Sequence, residues 1–414
     1  MKKLFKFLIE RPISLLLIFY MIIIIPTTIV KQPQSAAYSM VRNMGVDKNG
    51  EEFEITILSY IPAATQNFSE NYVLTSAKDK SVTQALDKAG DYLGKQIALA
   101  HLNNVVVSEE AAKDLIEVVD ILVRMHSISN STNVICTNVS AKEFMEQTIK
   151  LAGKSSSNES GMVQHNVEFV TGFRSDAETV LTSGYSPNRT ACVSMLTLSN
   201  EGFDLSGENL SAEGSSDSGG GSSSSGSSGG SEKKKLTNDG SVAVLLYGRK
   251  VGELSGEDVK NLNWLQGDIS WNKLKIENYS DENLQDATVL FSCTKNNAKS
   301  EAYFDGDNPV IKYNINLELE ILEINQKNNS IKTFLPKKIF INEKMQKAIA
   351  DKLKSIIYPS LNKFIALNAD PYMFYEKLMK KDRKKFEKYI NSLENKEEYM
   401  KNIKILFNIS SKSI

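Results

Sequence analysis

Apolar and polar side chains alternate strictly over residues 311–321, in the C-terminal third of the chain. Ile311, Tyr313 and Ile315 are separated by single polar residues, and the alternation continues to Ile321. A period of two places every apolar side chain on the same face of an extended chain. The pattern therefore predicts a long β-strand with one buried face and one solvent-exposed face.

The residues after this strand change to helical spacing. Apolar side chains recur three or four positions apart over residues 343–367, which predicts one long amphipathic helix. Pro359 lacks a backbone N–H, so we expect a kink there. Asp370 and Pro371 are expected to start another helix, and alternating apolar residues over 403–409 predict a final strand.

Residues 38–200 alternate between strand-like and helix-like patterns. Asn49 and Gly50 tolerate the positive φ angles of a tight reversal, which predicts a hairpin between strands at 39–46 and 53–60. Serines that can accept a backbone N–H precede three amphipathic stretches, which indicates helix N-termini. The predicted caps are Ser81, Ser108 and Ser140. The short strands between the helices are predicted at residues 102–107 and 134–137.

A strand, a turn, a second strand and a helix are predicted in close succession over residues 239–269. Apolar residues alternate up to Leu246, Gly248 supplies the turn, and the chain returns to Leu254. Ser255 precedes Asp258 by three residues, which is the spacing of a capping box at a helix N-terminus.

Residues 214–231 consist almost entirely of glycine and serine. Such a composition cannot bury apolar surface, so the tract is predicted to be a flexible tether. Gly226, Ser228 and Gly230 match the spacing of a nucleophile elbow, but that motif requires a preceding strand and a following helix. The tract predicts neither, and we interpret the match as chance.

Basic residues between Lys2 and Arg11 precede an apolar run over residues 13–30. This order predicts a cytoplasmic N-terminus and an extracytoplasmic body. The run is near the length that spans a bilayer, so we favour an uncleaved anchor. The small residues Ser35 and Ala37 leave cleavage by a signal peptidase open as an alternative.

These patterns predict a multidomain protein of the α+β or α/β class, with mixed sheets flanked by helices and an N-terminal transmembrane or signal segment. A length of 414 residues is sufficient for several domains. The predicted segments are the anchor or signal segment at 1–37, an α/β domain at 38–205, a flexible linker at 206–237, a middle domain at 238–300 and an α+β domain at 301–414.

Charge and cysteine content exclude some classes of protein. Lysine and arginine total 49 against 50 aspartates and glutamates, so no global field indicates nucleic acid as a partner. The cysteines Cys136, Cys192 and Cys293 lie far apart and form no Cys-x-x-Cys motif. They are predicted to be buried apolar residues rather than a zinc site or a disulfide framework.

Three groups of residues follow one another along the chain. The first is His101, Leu102, Val105, Val106, Val107, Asp120, Leu122 and Arg124. The second is Lys250, Val251, Gly252, Leu254, Glu257, Asp258, Leu262, Trp264 and Leu265. The third is Ala369, Asp370 and Phe374. In this order they resemble the Ger(x)C family, the C subunits of bacterial spore germinant receptors, although Pro371, Tyr372 and Met373 differ from the usual family residues.

The resemblance implies a non-enzymatic, membrane-anchored receptor subunit that takes part in nutrient-triggered spore germination and needs no cofactor. It implies A- and B-type receptor subunits as partners, and a place on the outer face of the inner spore membrane. Within the second group, Gly252, Leu254, Trp264 and Leu265 are expected to be structural. Family members normally carry a lipid on a cysteine after the signal segment, whereas this chain has no cysteine before Cys136.

The alternative is an extracytoplasmic, membrane-anchored hydrolase or ligand-binding protein. Its support is limited to the cleft that any multidomain fold can offer, because no usable Ser-His-Asp, Cys-His or metal signature is present. The histidines share no metal-ligand spacing and are interpreted as packing or surface residues. They are His101, His126 and His165. Residues 305–308 predict a β-turn rather than a calcium loop, because further acidic ligands are absent downstream.

Two further groups have a structural and a functional interpretation. Trp264 and Trp271 are interpreted as core or domain-contact residues rather than a ligand platform. The basic run at 377–388 is interrupted by acidic residues, which is typical of a solvated helix face. Its alternative interpretation is contact with anionic lipid headgroups. The candidate lipid-facing residues are Lys380, Lys381, Lys384 and Lys385.

Overall fold

A computed structural model describes residues 20, 38–60, 72–124, 128–151, 173–185, 190–199, 235–267, 272–282, 284–326 and 341–413. The strands are β1 Tyr38–Asn49, β2 Glu52–Tyr60, β3 Tyr72–Asp79, β4 Gln96–Ala98, β5 Asn104–Ser108, β6 Asn133–Thr137, β7 Thr190–Ser194, β8 Thr197–Ser199, β9 Lys235–Thr237, β10 Val242–Leu246, β11 Arg249–Leu254, β12 Lys273–Tyr279, β13 Ala287–Asp305, β14 Asn308–Gln326 and β15 Lys404–Ser413. The helices are α1 Val82–Leu93, α2 Leu115–Arg124, α3 Ala141–Leu151, α4 Ala177–Tyr185, α5 Gly256–Leu262, α6 Glu343–Ala366, α7 Phe374–Lys381 and α8 Arg383–Ser392.

The first sheet has the strand order β3-β2-β1-β5-β6, with β4 also paired to β1. β1 and β2 form the predicted antiparallel hairpin, and Gly50 at φ 62° occupies its turn. β5 lies parallel to β1, and β6 lies parallel to β5. The connection from β5 to β6 contains a 3-10 segment and α2. The predicted alternation of strands and helices in this region is therefore confirmed.

The three predicted serine caps have different outcomes. Ser81 is the N-cap residue of α1, but its side chain makes no capping hydrogen bond. Ser108 is the last residue of β5, where it pairs with Thr137 of β6 and its hydroxyl donates to the Val46 carbonyl at 3.4 Å, and a 3-10 segment then precedes α2. The expectation that Ser108 caps a helix was therefore wrong. Ser140 caps α3 by accepting the Glu143 N–H at 3.0 Å.

Two small sheets join segments on either side of the glycine- and serine-rich tract, and one of their strands, β9, lies inside the linker that was expected to extend to residue 237. β7 pairs with β10, β10 pairs with β11, and β8 pairs with β9. The Met195 N–H also donates to the Ser241 carbonyl at 3.0 Å. The regions before and after the linker therefore share sheets and are less separate than the sequence suggested. The glycine- and serine-rich tract at 214–231 lies outside the described residues.

The last sheet has the strand order β12-β13-β14-β15. β13 and β14 form an antiparallel hairpin with Gly306 at φ 65° in its turn, and β15 lies parallel to β14. The alternating pattern predicted at 311–321 falls within β14, where Ile311, Tyr313 and Ile315 are buried. Because β13 continues past residue 300, the boundary expected there falls inside a strand.

The helices of the last region follow the sequence pattern with one shift. α6 runs through Pro359 without interruption. α7 begins at Phe374, later than the expected start at Asp370, because Met373 adopts a left-handed conformation with φ 59°. The Asp370 carboxylate accepts the Tyr375 N–H at 2.9 Å instead.

Apolar side chains form two large cores. One contains residues of the first sheet, α1 and α2, together with Ala243 and Leu245 of β10. The other contains residues of the last sheet, α5 and α6. Among the described residues, no helix has both the length and the apolar composition needed to cross a bilayer. With the exception of Tyr20, the anchor predicted at 13–30 lies outside the described residues.

Candidate functional site

A cleft of about 580 Å³ lies where the regions before and after the linker meet. Glu109 and Asn138 line it from the first region, and Gly252, Asp258 and Lys363 line it from the second. β11 and the start of α5 carry most of the second wall. The cleft therefore has polar walls that come from segments far apart in sequence, and we call it the junction cleft.

Lys250 of β11 is nearly buried in the wall of the junction cleft. Its Nζ donates to Glu109 Oε1 and Glu253 Oε2, both at 3.2 Å, and its side chain is only 8% exposed. Burial alone lowers the pKa of Lys250, but the two carboxylates outweigh burial and raise the pKa overall. Lys250 is therefore a fixed cation that connects β11 to the segment after β5.

Asp258 of α5 is the centre of a second charged group in the cleft. Its carboxylate accepts hydrogen bonds from Lys363 Nζ at 2.5 Å, Ser255 Oγ at 2.6 Å and Ser360 Oγ at 3.1 Å. Burial by itself raises the pKa of Asp258, but these three donors lower it overall. Ser255 also accepts the Asp258 N–H at 3.3 Å, which confirms the predicted cap. This network ties α5 to α6.

The four predicted family-motif positions lie in or next to the junction cleft. Gly252 and Leu254 line it, and a Cβ on Gly252 would come within 2.8 Å of the Leu367 side chain. Trp264 and Leu265 are buried in the adjoining core, at 2% and 5% exposure. The close approach at Gly252 and the burial of Leu254, Trp264 and Leu265 suit a structural role for all four, which stays a prediction. Trp271 lies outside the described residues.

Sequence reasoning missed the partners of the two central charges. Glu109 is 141 positions from Lys250, and Lys363 and Ser360 are 105 and 102 positions from Asp258. No local spacing connects residues at such separations. The capping box was the one local signal that pointed to Asp258.

Groups suited to bond chemistry are dispersed or buried in the described part of the chain. His101 is exposed, and His126 and His165 lie outside the described residues. Burial raises the pKa of Cys136 to about 12 and that of Cys293 to about 11, away from the reactive thiolate. No group of three or more metal-ligating side chains occurs among the residues that the structure describes.

A second charged region lies where α7 ends and α8 begins. We call its four exposed side chains the basic corner; they are Lys380, Lys381, Lys384 and Lys385. Lys385 Nζ donates to the Gly306 carbonyl at 3.2 Å, in the turn between β13 and β14. Residues 305–308 therefore form a hairpin turn next to the corner.

Two family models match the chain on either side of the linker. The model of the spore germination protein N-terminal domain matches residues 37–198, and that of the spore germination B3/GerAC-like C-terminal domain matches residues 240–412. Together they cover most of the chain and define a spore germination protein. More specifically, the chain belongs to the Ger(x)C family of germinant-receptor subunits, which confirms the resemblance carried by the motif residues.

One solved structure provides a weaker comparison. The structural alignment with the crystal structure of the GerBC protein covers 90% of this chain and 96% of the GerBC chain, at 12% sequence identity and a TM-score of 0.49. No match was found among curated proteins.

Proposed function

We propose that the protein is a non-enzymatic, membrane-anchored subunit of a spore germinant receptor and takes part in nutrient-triggered germination. The observation that carries the proposal is the ordered match of both family domains. Family membership also favours a membrane-associated location, which we place on the extracytoplasmic side of the inner spore membrane. Residues 13–30 would supply the attachment, since no cysteine precedes Cys136.

The junction cleft supports a scaffolding role. Lys250 pairs with Glu109, and Asp258 pairs with Lys363, so charged groups connect segments before and after the linker and connect α5 to α6. These contacts favour a fixed arrangement of the two regions. Such a subunit would present constant surfaces to its partners, which we propose to be the A- and B-type receptor subunits.

The volume of the junction cleft favours a second candidate, an extracytoplasmic ligand-binding protein. A cavity of about 580 Å³ falls within the usual range of small-molecule sites. Lys250 is already paired with Glu109, and Asp258 with Lys363, so an ionic ligand would have to displace Glu109 or Lys363. Calorimetric binding of a nutrient that is weakened in Lys250→Gln would favour this candidate over the scaffold.

Co-purification from spore membranes tests the proposed function. Tagged full-length protein, extracted in a mild detergent, should retain the A- and B-type subunits, and an untagged strain provides the control. Trp264→Ala should recover less of all three proteins, because it reduces the amount of folded subunit. Recovery of abundant protein without either subunit, from membranes that contain both, would contradict the proposal.

A further inference from the structure

We propose that the basic corner binds anionic phospholipid headgroups at the membrane surface. The proposal rests on the proposed function in one respect, since the anchor keeps the corner near a lipid surface. Lys380 and Lys381 end α7, and Lys384 and Lys385 lie in the first turn of α8. All four side chains are exposed.

Two acidic residues near the corner, Glu387 and Asp307, are paired with basic residues outside it. Glu387 Oε1 accepts a hydrogen bond from Arg383 Nε at 2.7 Å. Asp307, in the hairpin turn, accepts one from Lys388 Nζ at 2.6 Å. These pairs account for two of the cations in the basic run, and neither involves a lysine of the corner.

The remaining acidic residue between the two helices has a structural role. Asp382 is the N-cap of α8, where its Oδ1 accepts the Lys385 N–H at 3.1 Å. Within the described residues, Lys380, Lys381 and Lys384 form no ion pair. The corner therefore keeps a local excess of positive charge that the fold does not neutralise.

The helix dipole accounts for Lys380 and Lys381 in the last turn of α7, but not for Lys384 and Lys385. The N-terminal end of a helix carries a partial positive charge, so cations in the first turn are unfavourable. Lys384 and Lys385 occupy that turn in α8 together with Arg383, and the turn contains no acidic residue. An external anion would offset this repulsion.

Two lysines of the basic run, Lys377 and the corner residue Lys385, contact the hairpin formed by β13 and β14. Lys377 Nζ donates to Ser300 Oγ at 2.7 Å, and burial lowers its pKa. Lys385 Nζ bonds to the Gly306 carbonyl and lies 6.0 Å from the centroid of the Phe304 ring. These contacts hold the corner against the hairpin turn, so its other lysines are presented from a fixed surface.

The residue type favours a lipid surface over a single phosphorylated ligand. Recognition of one phosphate by paired hydrogen bonds favours arginine, whereas lysines act as separate point charges. Separate point charges suit the dispersed headgroups of an anionic membrane, where each lysine strengthens binding roughly fivefold.

Lysine acylation of the full-length protein in vesicles tests the proposal. The protein is reconstituted in phosphatidylcholine alone or with phosphatidylglycerol, labelled briefly with an amine-reactive ester and analysed by peptide mass spectrometry. Labelling of Lys380, Lys381 and Lys384 should fall about fivefold in the anionic vesicles and recover at high salt. Labelling of Lys344 and Lys347, exposed on α6, should be the same in both.

Two matched variants separate the corner from general charge. Hydrogen exchange of residues 374–392 should be slower in anionic than in neutral vesicles for the wild type. The variant K380Q/K381Q/K384Q/K385Q should lose this difference. The control variant K344Q/K347Q/K352Q/K354Q removes the same amount of charge from α6 and should keep the difference in hydrogen exchange.

The outcomes separate this proposal from the proposed function. Equal labelling of the corner in neutral and anionic vesicles would overturn headgroup binding. Protection that requires added A- and B-type subunits would also overturn it and would make the corner a protein interface. Flotation of the protein with neutral vesicles tests membrane anchoring alone. If the protein does not float, the labelling experiment is repeated with anionic vesicles added to the protein in solution, and it still tests headgroup binding by the corner.

Discussion

The junction cleft and the basic corner contain the same types of charged group in opposite arrangements. At the junction, Lys250 is 8% exposed and lies between two carboxylates, and Asp258 is held by Lys363. At the corner, Lys380 and Lys381 are exposed and have no carboxylate partner among the described residues. A buried charge must be satisfied within the fold, whereas a solvated lysine costs the fold little. The charges of the junction therefore connect segments of the fold to each other, whereas those of the corner are available to a partner outside the protein.

The largest effect on stability is expected in the core that adjoins the junction. Trp264→Ala empties a site that is 2% exposed and should lower the free energy of unfolding by about 3–5 kcal/mol. Urea denaturation of the purified protein measures the change. His101→Ala, at an exposed position, should change stability by less than about 0.5 kcal/mol. Equal effects of the two variants would contradict the assignment of Trp264 to the core.

The next largest effect is expected at Asp258. Asp258→Ala removes a carboxylate with three side-chain donors and should cost about 2 kcal/mol at neutral pH. The pKa of Asp258 is lowered from its ordinary value of 3.8, so its contribution is present above that pH and is lost as the pH falls below it. The stability difference between wild type and variant should therefore shrink below about pH 4. A difference that grows on acidification would contradict this sign.

Local signals were sufficient to predict several elements of the fold. The Asn49-Gly50 turn, the alternation within β14 and the Ser255 cap each depend on residues a few positions apart, and the structure contains all three. Such features follow from backbone sterics and side-chain periodicity alone.

The junction itself could not be predicted from the sequence. β7 and β10 pair across the linker, and the partners of Lys250 and Asp258 are more than 100 positions away. Such contacts depend on how sheets and helices pack, which no local pattern specifies. For the same reason the composition near residue 300 gave no sign that β13 continues past it.

A smaller loss of stability is expected at Lys250. Lys250→Met keeps the aliphatic stem but removes the cation, and Glu109 and Glu253 are exposed enough to regain water. The expected cost is about 1 kcal/mol. Lys275→Met is the matched control, because its pair with Glu277 is solvated, and should cost less than about 0.5 kcal/mol. The same thermal or urea unfolding assay measures both variants. A loss of stability in Lys275→Met as large as that in Lys250→Met would contradict the difference expected between a buried and a solvated ion pair.

The smallest effect on stability is expected at the basic corner. K380Q/K381Q/K384Q/K385Q should change the free energy of unfolding by no more than about 0.5 kcal/mol, because exposed lysines contribute little and those at the start of α8 oppose the helix dipole. The assay is denaturation in the absence of lipid. A loss above about 2 kcal/mol would show that the corner is part of the fold's internal connections, and the contrast with the junction would disappear.

Germination measured against the amount of membrane-bound subunit tests the central claim most directly. Spores carrying His101→Ala, His126→Ala, His165→Ala or Trp264→Ala would be compared for nutrient-triggered germination and for subunit level in the membrane. A scaffolding subunit predicts that all variants follow one relation between level and germination rate, with the histidine variants near wild type and Trp264→Ala low in both. A histidine variant that is folded, abundant at the membrane and unable to germinate would contradict a non-enzymatic role.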